Sequence, residues 1–432
     1  MIPSSAHLRA CAQNRQNLLE LYEDEVLVIP GNFLRQKNSD VHYDFRQDSD
    51  FLYLCPYLEP DSLIILDAAD KSFTLFVPPK DPLKELWDGP RYGTEGAKEI
   101  FQADEAYSHK ELSKVIPKLT RNRKVQVLFP NFLSPLLDEL KILIETYSES
   151  FSTNELKTKL HDLRIIKNEF DLECMRQSAK VSSQAHKHLI QMAPKYTNES
   201  QLEAEFRYFC AINKQADMAY PPIVASGANA TCLHYIVNNR EYQDNECILV
   251  DAGSSYQSYA ADITRVFPAK GKFSPEAKDL YEATLRVQKK VLSRINTKIS
   301  LFDLNVLAQE LCCQELCDLG IIKESYDEAI EKQVFRKYVP HGVGHHLGLD
   351  VHDVSDSSFS YRNTGKKSSL RDGMVITIEP GIYIPKDDQS VDDRWRGIGI
   401  RIEDNIHIKD RDYENLTLSC PKELNEIEDL QS

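Results

Sequence analysis

Long apolar runs are missing from this 432-residue sequence. It contains no stretch of about eighteen consecutive apolar residues, which is the length that a membrane-spanning helix needs. The first thirty residues also lack the apolar segment of a secretory signal peptide. We therefore expect a protein that does not associate with membranes and that resides in the cytoplasm.

An excess of positive charge is missing as well. Lys and Arg number 52 against 67 Asp and Glu, which gives a formal net charge of −15. Proteins that bind nucleic acid non-specifically need lysine and arginine to neutralise phosphates. The charge balance excludes that class, and we expect no nucleic-acid partner.

Cysteine pairs with the spacing of a metal site are also lacking. The ten cysteines are scattered and include no CxxC pair. Cys312, Cys313 and Cys317 cluster on a helical pattern, which favours a structural role over a metal site or a disulfide. The sequence has no HExxH motif, so a single-zinc protease is unsupported.

Residues 1–160 alternate short β-branched runs with helical segments. The runs are DEVLVIPG, DSLIILD, KSFTLFVP and KVQVLFP, and helices are predicted at Leu83–Trp87 and Leu133–Tyr147. Runs of this kind are typical of a mostly buried sheet. We therefore predict an α/β domain over residues 1–160.

Residues 161–432 form a second predicted domain. It opens with a helix that Asn168 caps, and further helices begin at Ser274-Pro275 and at Ser300. The segments NECILVDAG, ADITRVFPA, GMVITIEPG and GIGIRIEDNIHI predict strands. The domain repeats one plan of two helices followed by a pair of strands.

Four acidic residues stand at the ends of, or inside, these apolar strands. They are Asp251, Asp262, Glu379 and Glu403. One such carboxylate alone indicates a strand end in water or paired with an arginine, and Arg265 and Arg401 are near in sequence. Four desolvated carboxylates would raise one another's pKa and strain the fold, and a cation is the simplest remedy. Their four charges are the number that two divalent ions neutralise.

The segment HGVGHHLGLDVHD, residues 341 to 353, holds four of the twelve histidines. Carboxylates combined with one imidazole suit Mn²⁺ and tolerate Co²⁺, Zn²⁺ or Fe²⁺. Structural zinc prefers thiolates and imidazoles and is a poor match. The residue types therefore predict a centre for divalent ions with manganese as the first choice.

Five motifs, in this order, resemble those of the pita-bread metallopeptidases, which include aminopeptidases P, prolidases and methionine aminopeptidases. They are DAG at 251–253, DITR at 262–265, HGVGHHLG at 341–348, IEPG at 378–381 and RIED at 401–404. The segment DFRQDSDFLYLCPYLEPDSLIIL is similar to the first domain of bacterial aminopeptidase P. The resemblance implies an α/β (α+β) protein with a creatinase-like N-terminal domain and a pita-bread catalytic domain.

The resemblance implies a dinuclear metal site. The implied ligands are Asp251, Asp262, His345, Glu379 and Glu403. Asp262 and Glu403 would bridge the ions, with Asp251 completing one shell and His345 and Glu379 the other. All five are present, which argues against a catalytically silent peptide-binding or protein-binding module and against a metal-free hydrolase such as creatinase.

The resemblance also implies catalytic and substrate-binding histidines. Glu379 would take a proton from a metal-bridging water or hydroxide and pass it to the leaving nitrogen. His352 and His234 would hold the peptide and stabilise the oxyanion, and His341 would line the pocket after the scissile bond. His346 matches no motif role, and we expect it to pack at a solvent-facing position.

Three further residues match family positions near the substrate, and each also has a purely structural interpretation. Tyr383 is equally explained as a core aromatic, and Arg401 either buttresses the carboxylates or is an ordinary strand-surface arginine. Trp87 matches a tryptophan that a neighbouring subunit contributes, or is a plain core or surface tryptophan.

By resemblance, the enzyme releases an N-terminal residue that precedes proline. The main alternative is a prolidase, which has the same site but accepts only dipeptides. The long first domain with its FRQDSDF segment favours the aminopeptidase. Because the family forms dimers and tetramers, the resemblance also implies a homo-oligomer.

Overall fold

The computed structural model describes residues 2–129, 135–355 and 368–432. Within these ranges no helix has both the length and the apolar character needed to cross a membrane. The chain divides into two compact units, Met1–Arg164 and Ile165–Ser432. A boundary at residue 160 would cut the helix Asn154–Arg164, whose last residue donates to Asp50 at 2.6 Å. That contact joins the end of this helix to the first unit.

The first unit combines seven helices and eight strands among its described residues. The helices are α1 (Ser5–Leu19), α2 (Ser49–Leu54), α3 (Pro82–Asp88), α4 (Gly93–Glu99), α5 (Leu112–Thr120), α6 (Pro135–Tyr147) and α7 (Asn154–Arg164). The strands are β1 (Val26–Pro30), β2 (Gln36–Asn38), β3 (Val41–His42), β4 (Leu63–Asp67), β5 (Ser72–Val77), β6 (Glu105–Ser108), β7 (Lys124–Val127) and β8 (Ser150–Ser152).

A mixed six-stranded sheet forms the centre of the first unit, in the order β6-β5-β4-β1-β7-β8. Its central strand β1 pairs antiparallel with β4 and parallel with β7, and all five of its residues are buried. Burial on both faces is why the four predicted runs are uniformly apolar instead of alternating. These runs form β1, β4, β5 and β7. The start of the helix predicted from Leu133 lies outside the described residues.

The second unit contains the longer helices and only antiparallel pairings among its described strands. The helices are α8 (Glu169–Met192), α9 (Glu199–Ile212), α10 (Pro275–Leu292), α11 (Leu301–Asp318), α12 (Tyr326–Glu331) and α13 (Leu424–Asp429). The strands are β9 (Ile223–Ser226), β10 (Cys247–Asp251), β11 (Ser255–Tyr256), β12 (Tyr259–Ala260), β13 (Thr264–Pro268), β14 (Val375–Ile378), β15 (Gly381–Tyr383), β16 (Gly399–Arg401), β17 (Asp404–Lys409) and β18 (Asp412–Asn415).

The predicted helix starts of the second unit are confirmed at their caps. The side chain of Asn168 accepts from the amide of Asp171 and opens α8. Ser274 caps α10, with Pro275 as its first residue, and Ser300 forms a capping box at the start of α11. In each case the cap satisfies amide donors that the first helical turn leaves without a partner.

The described strands of the second unit form two three-stranded sheets, in the orders β13-β10-β9 and β14-β17-β18, and two two-stranded sheets, β11-β12 and β15-β16. The segments GMVITIEPG and GIGIRIEDNIHI, each predicted as one strand, are broken into β14 with β15 and β16 with β17. The first break falls at Glu379-Pro380, where proline has no N–H to continue the ladder. The second falls at Ile402-Glu403, because β15 pairs with β16 whereas β14 pairs with β17.

Candidate active site

Two of the candidate ligands come from neighbouring antiparallel strands. Asp251 is the last residue of β10 and pairs in register with Thr264 at the start of β13, so Asp262 lies just outside that pair. Between them the chain turns back closely at Gly253. A Cβ at this position would lie 1.8 Å from the carbonyl oxygen of Ala261, so only glycine allows this approach.

The other two carboxylates occupy the strand breaks. Ile378 of β14 pairs with Asp404 of β17, and Glu379 and Glu403 are the residues next to that pair. The amide of Glu403 donates to the carbonyl of Thr264 at 3.1 Å, which joins this sheet to the one that carries Asp251. The carboxylates therefore stand at strand ends instead of within continuous strands. The two sheets bring them together.

His345 is held on the same sheet by Thr377. The amide of Thr377 donates to the carbonyl of His345 at 2.9 Å, and the amide of His345 donates to the Thr377 hydroxyl at 3.1 Å. Nδ1 of His345 donates to the carbonyl of His346 at 2.9 Å. This leaves Nε2 facing Asp262 at 3.4 Å and Glu379 at 3.6 Å. A neutral imidazole fixed in this tautomer presents the Nε2 lone pair as a metal ligand.

Asp262, His345 and Glu403 each offer a ligand atom, and these atoms all lie within 4.8 Å of one another. Glu403 is 1% exposed, and its Oε1 is a buried atom with no hydrogen-bond partner among the described residues. Its Oε2 accepts from the Thr264 hydroxyl at 2.7 Å. A buried carboxylate oxygen without a partner costs free energy that a cation removes. The donor set therefore fits a divalent ion.

The pKa values of the carboxyl groups in the cluster also indicate a site for a cation. Burial, followed by the charges of Asp262, Glu379 and Asp251, raises the pKa of Glu403 well above its ordinary value. Burial likewise raises the pKa of Glu379 to about 7 and also raises that of Asp251. Several buried carboxylates that resist ionisation together are the expected signature of a site built around added positive charge.

Arg401 supplies the fixed positive charge beside the cluster. Its guanidinium donates to Oδ2 of Asp251 at 2.6 Å, to the Tyr383 hydroxyl at 2.8 Å and to the Thr264 hydroxyl at 3.0 Å. The side chain is buried, so the interpretation as an ordinary strand-surface arginine is wrong. Arg265 instead pairs with Asp404 at 2.7 Å and donates to the carbonyl of Glu403 at 2.6 Å.

Two family models match this chain, one in each unit. Residues 173–410 match the model of metallopeptidase family M24, and residues 11–129 match that of the aminopeptidase P N-terminal domain. The chain belongs to metallopeptidase family M24. It is accordingly a metallo-exopeptidase, and the expected mixed α/β architecture with a pita-bread catalytic domain is confirmed.

Relatives of this M24 peptidase match nearly its whole length. Xaa-Pro aminopeptidase 3 of Rattus norvegicus is 36% identical, with 95% of this chain and 81% of the relative covered. The Xaa-Pro aminopeptidase of Haemophilus influenzae is 36% identical, with 96% and 94% covered. The solved structure of Pseudomonas aeruginosa aminopeptidase PepP has a TM-score of 0.93 and 33% identity, with 100% and 99% covered.

His341 and Tyr383 extend the M24 site along a hydrogen-bonded chain. Nδ1 of His341 donates to the carbonyl of Gly342 at 2.7 Å, so its Nε2 accepts from the Tyr383 hydroxyl at 2.8 Å. Tyr383 in turn accepts from Arg401. Tyr383 also belongs to the hydrophobic core of the second unit, so both interpretations of this residue hold. Burial, followed by the charge of Arg401, lowers the pKa of His341 to about 4.

His352 and His234 are exposed beside this M24 cluster. The ring of His352 meets that of His345 edge to face, with centroids 4.3 Å apart. His234 precedes Tyr235, whose hydroxyl donates to buried Glu199 at 2.8 Å. Among the described residues no hydrogen bond or ion pair joins His234 to the other candidates. Burial is the largest cause that lowers the pKa of both His341 and His352, and His234 adds to this lowering.

His346 is buried, so the expectation of a solvent-facing position is wrong. It bridges to Ile376 in an antiparallel arrangement, and in such extended backbone neighbouring side chains point to opposite sides. Because His345 faces the carboxylates, His346 faces the interior.

Trp87 lies in the first unit on α3 and is 86% exposed. The interpretation as a core tryptophan is therefore wrong, and the surface position stands.

Sequence reasoning missed Tyr220. Its hydroxyl lies 2.5 Å from Oδ1 of Asp251 and 2.5 Å from Oδ1 of Asp262. Nothing in the surrounding segment ADMAYPPIV marks it, because a tyrosine before two prolines reads as a loop residue. Thr264 and Thr377 were also missed, although a threonine beside a ligand in an apolar strand is a recognisable signal.

Proposed function

We propose that this M24 peptidase removes the N-terminal residue from peptides whose second residue is proline, with the help of two divalent ions. The observation that carries the proposal is the buried Oε1 of Glu403, which has no hydrogen-bond partner within residues 2–129, 135–355 and 368–432 and lies in a cluster of carboxylates and one imidazole. The printed names of the M24 relatives, Xaa-Pro aminopeptidase and aminopeptidase PepP, support the substrate class.

Asp251, Asp262, His345, Glu379 and Glu403 would hold the two ions, with Asp251 serving one ion, His345 and Glu379 serving the other, and Asp262 and Glu403 serving both. Four carboxylates match the charge of two divalent ions, and the oxygen-rich set makes Mn²⁺ the first choice over Co²⁺, Zn²⁺ or Fe²⁺. When bound, the ions supply Lewis acidity at the scissile carbonyl and lower the pKa of a bound water towards neutrality.

Glu379 is the proposed general acid and base. Its carboxylate lies 3.6 Å from Nε2 of His345 and 3.8 Å from Nδ1 of His341. In this position it takes a proton from the attacking water and delivers that proton to the proline nitrogen as the C–N bond breaks. The oxygen of the water thus becomes one oxygen of the new carboxyl group of the released residue. The proton that Glu379 carried ends on the leaving amine.

The histidines hold the substrate around this centre. His352, against His345, donates to the oxygen that becomes negative as the carbonyl carbon turns tetrahedral. His234 holds the peptide from its exposed loop. His341 and Tyr383 form a wall for the proline ring, and Arg401 fixes Tyr383 through its hydroxyl.

Proline in the second position suits such a wall. The Xaa-Pro amide has no N–H, and the ring fixes its φ, so the peptide enters with little conformational freedom to lose. A pocket built from an imidazole and a phenol at a fixed 2.8 Å separation uses that rigidity.

We further propose that the protein is a homo-oligomer, a dimer or a tetramer, in which Trp87 reaches the substrate site of a neighbouring subunit. Leu83, Leu86 and Trp87 lie on α3 and are 77%, 78% and 86% exposed. Three large apolar side chains on one short helix are typical of a contact surface.

A cytoplasmic location is also proposed. All ten cysteines are free thiols, and seven of them are buried. Cysteines remain reduced in the cytosol, whereas oxidising compartments favour disulfides.

Product analysis tests the function directly. Chelator-stripped protein reloaded with Mn²⁺ is incubated with Ala-Pro-Ala, Ala-Pro and Ala-Ala-Ala, and the products are identified by mass spectrometry. We expect free alanine from Ala-Pro-Ala and little cleavage of Ala-Ala-Ala. Cleavage of Ala-Pro alone would identify a prolidase, and no cleavage of any peptide would support the silent module.

A further inference from the structure

A buried ion pair lies directly beside His352 in the sequence. Nζ of Lys167 lies 2.9 Å from Oδ2 of Asp353, and both side chains are 2% exposed. Nζ also faces the carbonyl oxygen of Ile165 at 3.4 Å. Burying two charges carries a large desolvation cost, so such a pair is poor evidence for added stability. The pair is therefore better explained by the local geometry that it fixes.

Asp353, the acidic member of this ion pair, also closes the turn that carries His352. The amide of Asp353 donates to the carbonyl of His346 at 2.9 Å, which brings the two ends of residues 346–353 together. Inside the turn, the amide of Gly348 donates to the carbonyl of Asp350 at 3.1 Å. The carbonyl of His346 is also the acceptor for Nδ1 of His345 at 2.9 Å. One carbonyl thus links the turn to the candidate metal ligand.

The turn packs so closely on the ion pair that a side chain at Gly348 would overlap with it. A Cβ at Gly348 would lie 2.1 Å from Oδ2 of Asp353 and 3.0 Å from Cε of Lys167. The carbonyl of Gly348 accepts from the amide of Ala260 at 2.8 Å, and the amide of Lys167 donates to the carbonyl of Gly373 at 2.8 Å. Lys167 is therefore fixed to the segment that leads into β14, and Gly348 is fixed to β12.

His352 is exposed, so packing around its ring contributes little to its position. Its alignment against His345, at a centroid distance of 4.3 Å, depends on the backbone of the turn. We propose that Lys167 and Asp353 are positioning residues. Through this turn they hold the imidazole of His352 in its alignment against His345. The inference rests on the proposed function, because it concerns the contribution of His352 to peptide cleavage.

The test is a double-mutant cycle with a charge-free pair. Lys167→Met alone would leave a buried carboxylate unpaired, so Lys167→Met is combined with Asp353→Asn to remove both charges at similar volume. With Ala-Pro-Ala and Mn²⁺, we expect this double variant to lower kcat/KM by about 10- to 100-fold. In a His352→Ala background the same change is expected to lower kcat/KM by less than about twofold, since the residue it positions is gone.

An equal loss of kcat/KM in both backgrounds would overturn the inference, because the pair would then act independently of His352. A kcat/KM of the charge-free variant equal to that of the wild type would also overturn the inference. Lys289→Met removes the cation of an exposed pair with Glu423 in the same unit, and we expect it to leave kcat/KM unchanged.

A second readout separates this inference from the peptidase proposal. Histidine ring protons are followed by NMR, with the His352 resonance assigned by its loss in the His352→Ala variant. In the charge-free variant we expect the His352 resonance to shift or broaden, whereas that of His407, paired with Glu414 at 3.0 Å, stays in place. An unmoved His352 resonance overturns the positioning role. A wild-type protein that cleaves no peptide contradicts the proposed function alone, because the NMR result still decides the inference.

Discussion

Buried Arg401 and partly buried Asp251 form a charge pair at the edge of the candidate metal cluster. Nη2 of Arg401 lies 2.6 Å from Oδ2 of Asp251, while Oδ1 of the same carboxylate lies 2.5 Å from the Tyr220 hydroxyl. A single carboxylate is thus oriented through both of its oxygens. The same guanidinium also reaches Tyr383, so it couples the orientation of a candidate ligand to that of a candidate substrate wall.

We predict that Arg401→Lys lowers kcat/KM or Mn²⁺ affinity by about 10- to 100-fold, as expected for partners that orient metal ligands. An ammonium lacks the planar fork that contacts Asp251, Tyr383 and Thr264 together. Peptidase assays across a Mn²⁺ titration measure both quantities. Arg286→Lys, in an exposed pair with Glu315, is the matched control and is expected to behave as wild type. Equal behaviour of the two variants would contradict the assigned role.

Glu403→Gln is predicted to maintain or raise the free energy of unfolding of the metal-free protein and to reduce the stabilisation that Mn²⁺ provides. In chelator-treated protein the amide removes a buried carboxylate whose pKa burial raises, so the free energy of unfolding is expected to stay constant or rise by about 1 kcal/mol. Saturating Mn²⁺, at about 1,000 times its Kd, is expected to stabilise the wild type by about 4 kcal/mol and the variant by much less. Denaturant unfolding with and without Mn²⁺ measures both.

The neighbouring Asp404→Asn provides the contrast. Asp404 is buried and paired with both Arg265 and Lys422, so its loss leaves uncompensated positive charge. We expect it to lower the free energy of unfolding by about 3 to 5 kcal/mol. If Glu403→Gln destabilised the metal-free protein as much as Asp404→Asn does, the interpretation of Glu403 as an unsatisfied ligand would be wrong.

Asp50 gives the first unit a pH-dependent contribution to stability. Burial raises its pKa, but the charge of Arg164 and the hydrogen bond from His161 outweigh burial and hold the pKa at about 2. Because the folded-state pKa is depressed, the contribution is present above the unfolded value of about 4 and is lost as pH falls towards about 2. Asp50→Asn is therefore predicted to cost about 2 kcal/mol at neutral pH and about half of that near pH 3.

Urea unfolding of the first unit at several pH values checks this dependence. Glu105→Gln, which removes an exposed pair with Lys98 in the same unit, is the control and is expected to change the unfolding free energy by under about 0.5 kcal/mol. A cost for Asp50→Asn that stays constant from neutral pH to about pH 3 would contradict the assignment.

Trp87→Ala is predicted to weaken self-association and peptidase activity without affecting the stability of the monomer. Its 86% exposure means that truncation changes the unfolding free energy by under about 0.5 kcal/mol. Sedimentation velocity and kcat/KM for Ala-Pro-Ala are the measurements. Leu418→Ala, at a 75% exposed position in the second unit, is the matched control. Identical sedimentation and activity of the two variants would refute the role of Trp87.

Much of the site could be read from the sequence because charge in apolar surroundings is conspicuous. Four carboxylates beside β-branched runs predicted a cation, and the resemblance assigned His345 where chemistry alone does not separate it from His346. The structure brings Asp262, His345 and Glu403 together. It also reports what a sequence pattern omits, because the strand breaks at Glu379 and Glu403 depend on which strands pair.

Other features depend on contacts that are distant in the chain and left no local signal. Tyr220 approaches Asp251 and Asp262 from 31 and 42 residues away in sequence. The burial of His346 follows from alternation in an extended segment, which the glycine-rich spacing of HGVGHHLG conceals. The pair of Lys167 with Asp353 spans 186 residues, so no periodicity connects them.

The most direct measurement is a Mn²⁺ titration of chelator-stripped protein in which bound metal per chain and release of alanine from Ala-Pro-Ala are followed together. Our prediction is that two ions bind per chain and that alanine release requires them. Release of alanine without bound metal, or saturation of the protein with Mn²⁺ without any cleavage, would contradict it.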